Sequence, residues 1–125
     1  MRIETVRGVA FAAAGVLGAT GVAMGAVAAH AGLDAHRQAM LHQGVEMQMW
    51  HALALLGVGA GLRRADGWSV AVVVGLVSGT VAFCGGVYGL VAGFDTGRVA
   101  PVGGSVLIGS WVVLGVAGWK ARGVV

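Results

Sequence analysis

Residues 68–94 read WSVAVVVGLVSGTVAFCGGVYGLVAGF, without one charged side chain. At about 1.5 Å per residue, a helix of that length crosses the ~30 Å hydrocarbon core of a bilayer with residues to spare. The run is too long for a strand of a membrane barrel, and its apolar residues do not alternate strictly. Three more runs with few or no charges flank it: about Gly8–Ala29 and Met40–Leu62 before it, and about Val99–Trp119 after it. The sequence therefore predicts an all-α integral membrane four-helix bundle, with helices at about 8–29, 40–62, 68–94 and 99–119 and a single domain over residues 1–125.

Composition agrees. Hydrophobic residues make up 58% of the 125 positions and charged residues 10%, against roughly 45–50% and about 25% in soluble domains. Disorder needs low hydrophobicity and many charges, and collagen needs a three-residue glycine period with much proline. Neither fits a chain with 24 glycines in no such period and one proline. A soluble enzyme of this length would have too small a core to hide so much apolar surface. The eight Lys and Arg residues are scattered, with no basic patch for nucleic acid. A lone cysteine, Cys84, excludes an intrachain disulfide.

In a membrane protein the basic residues report orientation instead. Arg2, Arg7, Arg63, Arg64, Lys120 and Arg122 fall on one side, Arg37 and Arg98 on the other. The positive-inside rule then places both termini in the cytoplasm, and Trp68 and Trp119 fall at that same interface. Ala29-His30-Ala31 looks like a signal-peptidase site. The apolar stretch before it exceeds the roughly 7–15 residues of a signal peptide, so the first run reads as a retained span.

Small residues form stripes. Ala14, Gly18, Gly21, Gly25 and Ala28 recur at spacings of four and three, as do Gly75, Gly79, Ala82, Gly86, Gly89 and Gly93. In lipid, helices associate through close backbone approach, which small residues allow. These stripes are expected at helix contacts, with the Val and Leu residues between them facing lipid.

The remaining polarity gathers toward the membrane face opposite the termini. His30 and His36 flank the first loop; His42, Gln43, Glu46, Gln48 and His51 occupy the first half of the second run; Tyr88, Ser105, Asp95 and Arg98 lie at matching depth or in the third loop. Glu46 stands out, because an ionised carboxylate costs roughly 2.5 kcal/mol or more at the centre of a membrane helix. It is expected to face the bundle, to be protonated, or to have a partner such as His42, Gln43 or Arg98.

No cofactor motif accompanies this cluster. His42 and Glu46 share a helix face, but no His-Glu-x-x-His or Glu-x-x-His element is present. His51 lies about 140° round the helix from Glu46. Haem ligation by His30 and His51 would lack an attachment motif. A quinone head group would need only a few hydrogen bonds, which Gln48, Trp50 and His51 offer. The serines have no nucleophile elbow, and Val102-Gly103-Gly104-Ser105 lacks the glycine spacing and lysine of a phosphate loop. Pro101 suits the start of the fourth helix. No catalytic activity and no bound cofactor are expected.

Four segments carry a resemblance: Gly25-Ala26-Val27-Ala28-Ala29-His30, Gly44-Val45-Glu46-Met47-Gln48-Met49-Trp50-His51, Phe83-Cys84-Gly85-Gly86-Val87-Tyr88 and Pro101-Val102-Gly103-Gly104. In order and spacing they resemble the small four-span YgdD-like membrane proteins, domain-of-unknown-function family 423, which includes transmembrane protein 256-like proteins. The resemblance implies four membrane helices in a bacterial inner membrane or its organellar equivalent. It emphasises His30, Glu46, Gln48, His51, Tyr88 and Pro101, and implies no activity.

Three functions are consistent with this reading. The first is a non-catalytic accessory subunit packing against a larger membrane complex, such as a respiratory one, or against copies of itself. The second is a quinone, lipid or redox-associated site around Glu46, His51 and Tyr88. The third is a small oligomeric transporter or proton pathway through Glu46, against which stands the absence of a broken-helix pair. The first is the expected one.

Overall fold

The structure is a computed structural model that describes residues 1–122. The last three residues of the expected domain, 123–125, and the side chain of Arg122 lie outside the described residues. Four α-helices make up the described chain: α1 (Ile3–His30), α2 (Ala35–Gly61), α3 (Gly67–Val91) and α4 (Val99–Arg122). Helices α1, α3 and α4 are each long and apolar enough to cross a membrane; α2 is as long, at 27 residues, but carries the polar set.

Helix boundaries follow local chemistry. α2 begins five residues before the expected Met40 because Asp34 caps it, its carboxylate accepting from the Arg37 N–H at 2.9 Å. Asp66 caps α3 in the same way, accepting from Ser69 N–H and Oγ at 2.9 and 2.8 Å. These backbone bonds hold both carboxyls below their ordinary range. α3 stops at Val91, short of the expected Phe94. Phe94 N–H reaches back to Gly89 O at 2.8 Å, Gly93 N–H reaches Leu90 O at 3.1 Å, and Gly93 takes φ +96°. That is a Schellman stop, which needs a left-handed residue.

Consecutive helices run antiparallel. Ala10 meets Gly59, Gly21 meets Met49, and Ala28 O meets Gln38, so α2 retraces α1 along its length. Gly44 faces Val87 and Tyr88 across α2 and α3; Gly75, Gly79 and Gly86 face Ser110, Leu107 and Ala100 across α3 and α4. The start of α1 and the end of α4 therefore lie at one end of the molecule, where Arg7 donates to Leu62 O at 2.5 Å and Lys120 sits 4.8 Å over the Trp68 ring.

α3 is the central helix. It packs on α1, α2 and α4, whereas α4 packs closely on α3 alone. The expectation that the Val and Leu residues between the α3 glycines face lipid is therefore corrected in part. Leu76 and Val87 are buried, because α3 has neighbours on two sides, and Val81 is exposed. An apolar core of Val6, Ala10, Leu55, Val72, Leu76 and Leu107 fills the half nearest the termini. Buried Thr80 and Ser110 return their hydroxyls to the carbonyls four residues back, at 2.6 and 2.8 Å.

Candidate functional site

The polar half of the bundle is organised by Gln48, which is 3% exposed and lies between α1 and α3. Glycines bring the three helices together here. A Cβ on Gly44 would stand 2.7 Å from the Tyr88 ring, and one on Gly21 would stand 2.6 Å from Met49 Sδ. With the rings and chains this close, Tyr88 Oη donates to Gln48 Oε1 at 2.6 Å. Gln48 Nε2 donates to Leu17 O at 2.8 Å and to Thr20 Oγ1 at 2.7 Å, and Thr20 donates onward to Val16 O at 2.7 Å. Leu17 O can only accept, so the amide orientation is determined. Cys84 adds a weak S–H bond to Gly44 O at 3.4 Å.

One turn nearer the termini, buried His51 makes a second tie. Its Nδ1 donates to Met47 O at 2.6 Å, and its Nε2 accepts the Trp111 indole N–H at 3.1 Å. An indole N–H has no acceptor capacity, so the bond selects the Nδ1–H tautomer. The rings meet edge to face at 6.0 Å. This bond joins α2 to α4, helices whose backbones do not pack on each other.

The expectation that Glu46 faces the bundle or pairs with His42, Gln43 or Arg98 is corrected. It is exposed on the outer face of α2, and among the described residues it has no hydrogen-bond or ion-pair partner. The reason is geometric. Glu46 and Gln48 lie two residues apart, about 200° round a helix, so with Gln48 inward Glu46 must point out. Arg98 is exposed in the α3–α4 loop and does not reach Glu46; the one ion pair among the described residues is Arg37–Asp34 at 3.8 Å. His30 is exposed at the end of α1. His42 is exposed, 3.2 Å from Gln38 Nε2, and Gln38 also donates to Ala28 O.

The polar cluster expected from the sequence thus divides. Gln48 and Tyr88 come together, His51 pairs separately, and His30, His42, Glu46 and Arg98 lie outside. Among the described residues no three His, Cys, Asp or Glu side chains converge as metal ligands. A quinone at Gln48, Tyr88 or His51 would have to displace an existing bond. Thr20, Gln38 and Trp111, which complete these ties, were not singled out from sequence. Their signal was present, since each is a hydrogen-bonding side chain in or beside an apolar run.

The glycine seams are placed unevenly. Cβ atoms at Gly75, Gly79, Gly86 and Gly89 would collide with α4 or the loop before it, and Gly21 would collide with α2. Gly25 has only an ordinary contact at 3.8 Å, to Val45, and Gly18 has nothing within 4 Å. Gly18 and Gly93 are therefore removed from the seams: the first faces open space, and the second forms the helix stop. Gly103 was missed. A Cβ there would stand 2.8 Å from Gly79 O and would strike the backbone of Phe83.

The chain matches, over residues 24–104, the family described as "Protein of unknown function (DUF423)". It is 33% identical over 111 residues to the UPF0382 inner membrane protein YgdD of Escherichia coli strain K12, covering 82% of this chain and 85% of that protein. It is 29% identical over 108 residues to a UPF0382 membrane protein of Haemophilus influenzae, covering 81% and 86%. No solved structure matches.

Proposed function

The chain belongs to the DUF423 family and is a multi-pass inner-membrane protein; from that premise we propose that it is a non-catalytic subunit that packs against another membrane protein through the outer face of α2. One observation carries this reading: Glu46 is exposed on α2, midway along the bundle, and has no hydrogen-bond or ion-pair partner among the described residues. Intramembrane carboxylates are costly in lipid and almost always pair or face a protein interior.

The surroundings of Glu46 favour a protein neighbour over acyl chains. Ala39, Gln43, Glu46, Trp50 and Leu53 are all exposed, and their spacing of four and three forms one continuous stripe. Such a stripe presents a small residue, an amide, a carboxylate and two large anchors to a facing helix. A fitting partner supplies a hydrogen-bond donor at the depth of Glu46. The inward side chains of Gln48, Tyr88 and His51 are already bonded, which supports a structural role for them and leaves Glu46 of the outer stripe free to meet a partner.

The test is site-specific photocrosslinking in native membranes. A crosslinker at Leu53 on α2 is expected to yield a discrete protein adduct that Glu46→Ala removes and Glu46→Gln retains. A crosslinker at Val112 on α4 is expected to yield lipid alone. A chain that runs as a free monomer and forms only lipid adducts at Leu53 would overturn the proposal.

A further inference from the structure

We propose that the groove between α2 and α4, at the end of the molecule that carries the termini, binds one anionic phospholipid. Both helices pack on α3 without packing on each other, and their divergence opens a groove of about 970 Å³. Val72 of α3 lies at its floor, with Ala54, Gly57 and Val58 on one wall and Leu114 and Gly118 on the other. A Cβ on Gly57 or Gly118 would meet nothing within 4 Å. The width therefore depends on the absence of side chains there.

The groove is polar at only one end. Arg63, Arg64 and Lys120 line its mouth, and Lys120 is held over the Trp68 ring at 4.8 Å. Asp66 also lies there, but its carboxylate already accepts two bonds from Ser69. Three cations above an apolar trough complement a phosphate head above acyl chains, and basic pockets between membrane helices recognise such head groups.

Depth selects the occupant. The groove closes at Trp111, whose indole is bonded to His51. From Trp111 to Lys120 is about 14 Å of helix at 1.5 Å per residue, close to half the ~30 Å hydrocarbon thickness. One leaflet's acyl chain fits that depth, whereas a partner's membrane helix would run on past the closed end. The site is separate from the outer stripe of α2, since Glu46 lies in the opposite half of the helix.

The experiment uses the full chain in mild detergent, offered equal amounts of phosphatidylglycerol and phosphatidylcholine with identical acyl chains, and read by native mass spectrometry. One phosphatidylglycerol per chain is expected to survive, with phosphatidylcholine lost. The combined Arg63→Ala, Arg64→Ala, Lys120→Ala variant is expected to retain phosphatidylglycerol about tenfold less or weaker still. Gly118→Leu fills the trough without touching a charge and is expected to lose the lipid as well. Because its new side chain enters open space, Gly118→Leu keeps the test valid if the triple variant fails to fold. Equal retention of both lipids, wild-type retention in a folded variant, a second copy of the chain in place of lipid, or displacement by inorganic phosphate would each overturn the proposal.

Discussion

Gln48 and Glu46 are chemically similar, near neighbours in sequence, and opposite in role. Gln48 makes three side-chain bonds to α1 and α3 and is buried; Glu46 makes none and is exposed. Gln48→Leu should therefore destabilise the isolated chain by about 1–3 kcal/mol, because it orphans the half-buried Tyr88 hydroxyl together with Leu17 O and Thr20 Oγ1. Glu46→Gln should stay within about 0.5 kcal/mol, as surface changes do. Thermal unfolding in detergent checks the pair, and a larger loss for Glu46→Gln would place Glu46 in the internal network. The His51–Trp111 bond spans helices that share no other close packing. A double-mutant cycle of His51→Leu and Trp111→Phe should return a coupling of about 0.6 kcal/mol, the average for such bonds in membrane bundles. A coupling near zero would mean the bond is not made in solution.

Between helices, glycine matters only where another backbone or a rigid side chain occupies the space a Cβ would need. Gly103 is the extreme case, set against Gly79 and Phe83. Gly103→Ala should force α3 and α4 apart and lower the melting temperature more than Gly18→Ala, which enters open space. Equal melting temperatures would contradict the observed seam. Helix starts supply a pH dependence. The Asp34 and Asp66 carboxyls are held below their ordinary range chiefly by backbone N–H bonds, from Arg37 and Ser69. Their contribution is present above the ordinary carboxylate range and is lost as pH falls through the lowered folded-state values. Amide exchange in the first turns of α2 and α3 should accelerate on acidification. Asp66→Asn caps without titrating and should remove the α3 component; an unchanged pH profile in that variant would contradict this origin.

Among the described residues, the molecule is a central helix with an α1–α2 pair on one side and α4 on the other, and the start of α1 and the end of α4 at one end. The imbalance of basic residues predicts that this end is cytoplasmic. Cysteine labelling with an impermeant maleimide checks it. Ala31→Cys should label in intact spheroplasts, and Arg64→Cys only after permeabilisation. Wild-type Cys84, 4% exposed and bonded to Gly44 O, should resist both. The reverse labelling pattern would invert the topology.

Much of this was legible in the amino-acid order. Four helices and their membrane setting follow from run length and hydropathy, which depend only on what a segment contains. The caps at Asp34 and Asp66 and the stop at Gly93 are equally local, although hydropathy alone does not reveal them. Rotation about each helix axis was not legible. The pattern Glu46-x-Gln48 requires one side chain inward and the other outward, and composition cannot choose between them. Tertiary structure chose Gln48, because Leu17, Thr20 and Tyr88 together match every polar atom of an amide, whereas a carboxylate there would meet a carbonyl. The same holds for the glycines. Spacing identified a stripe, but only the position of a neighbouring helix separates Gly79, which needs to be glycine, from Gly18, which faces open space.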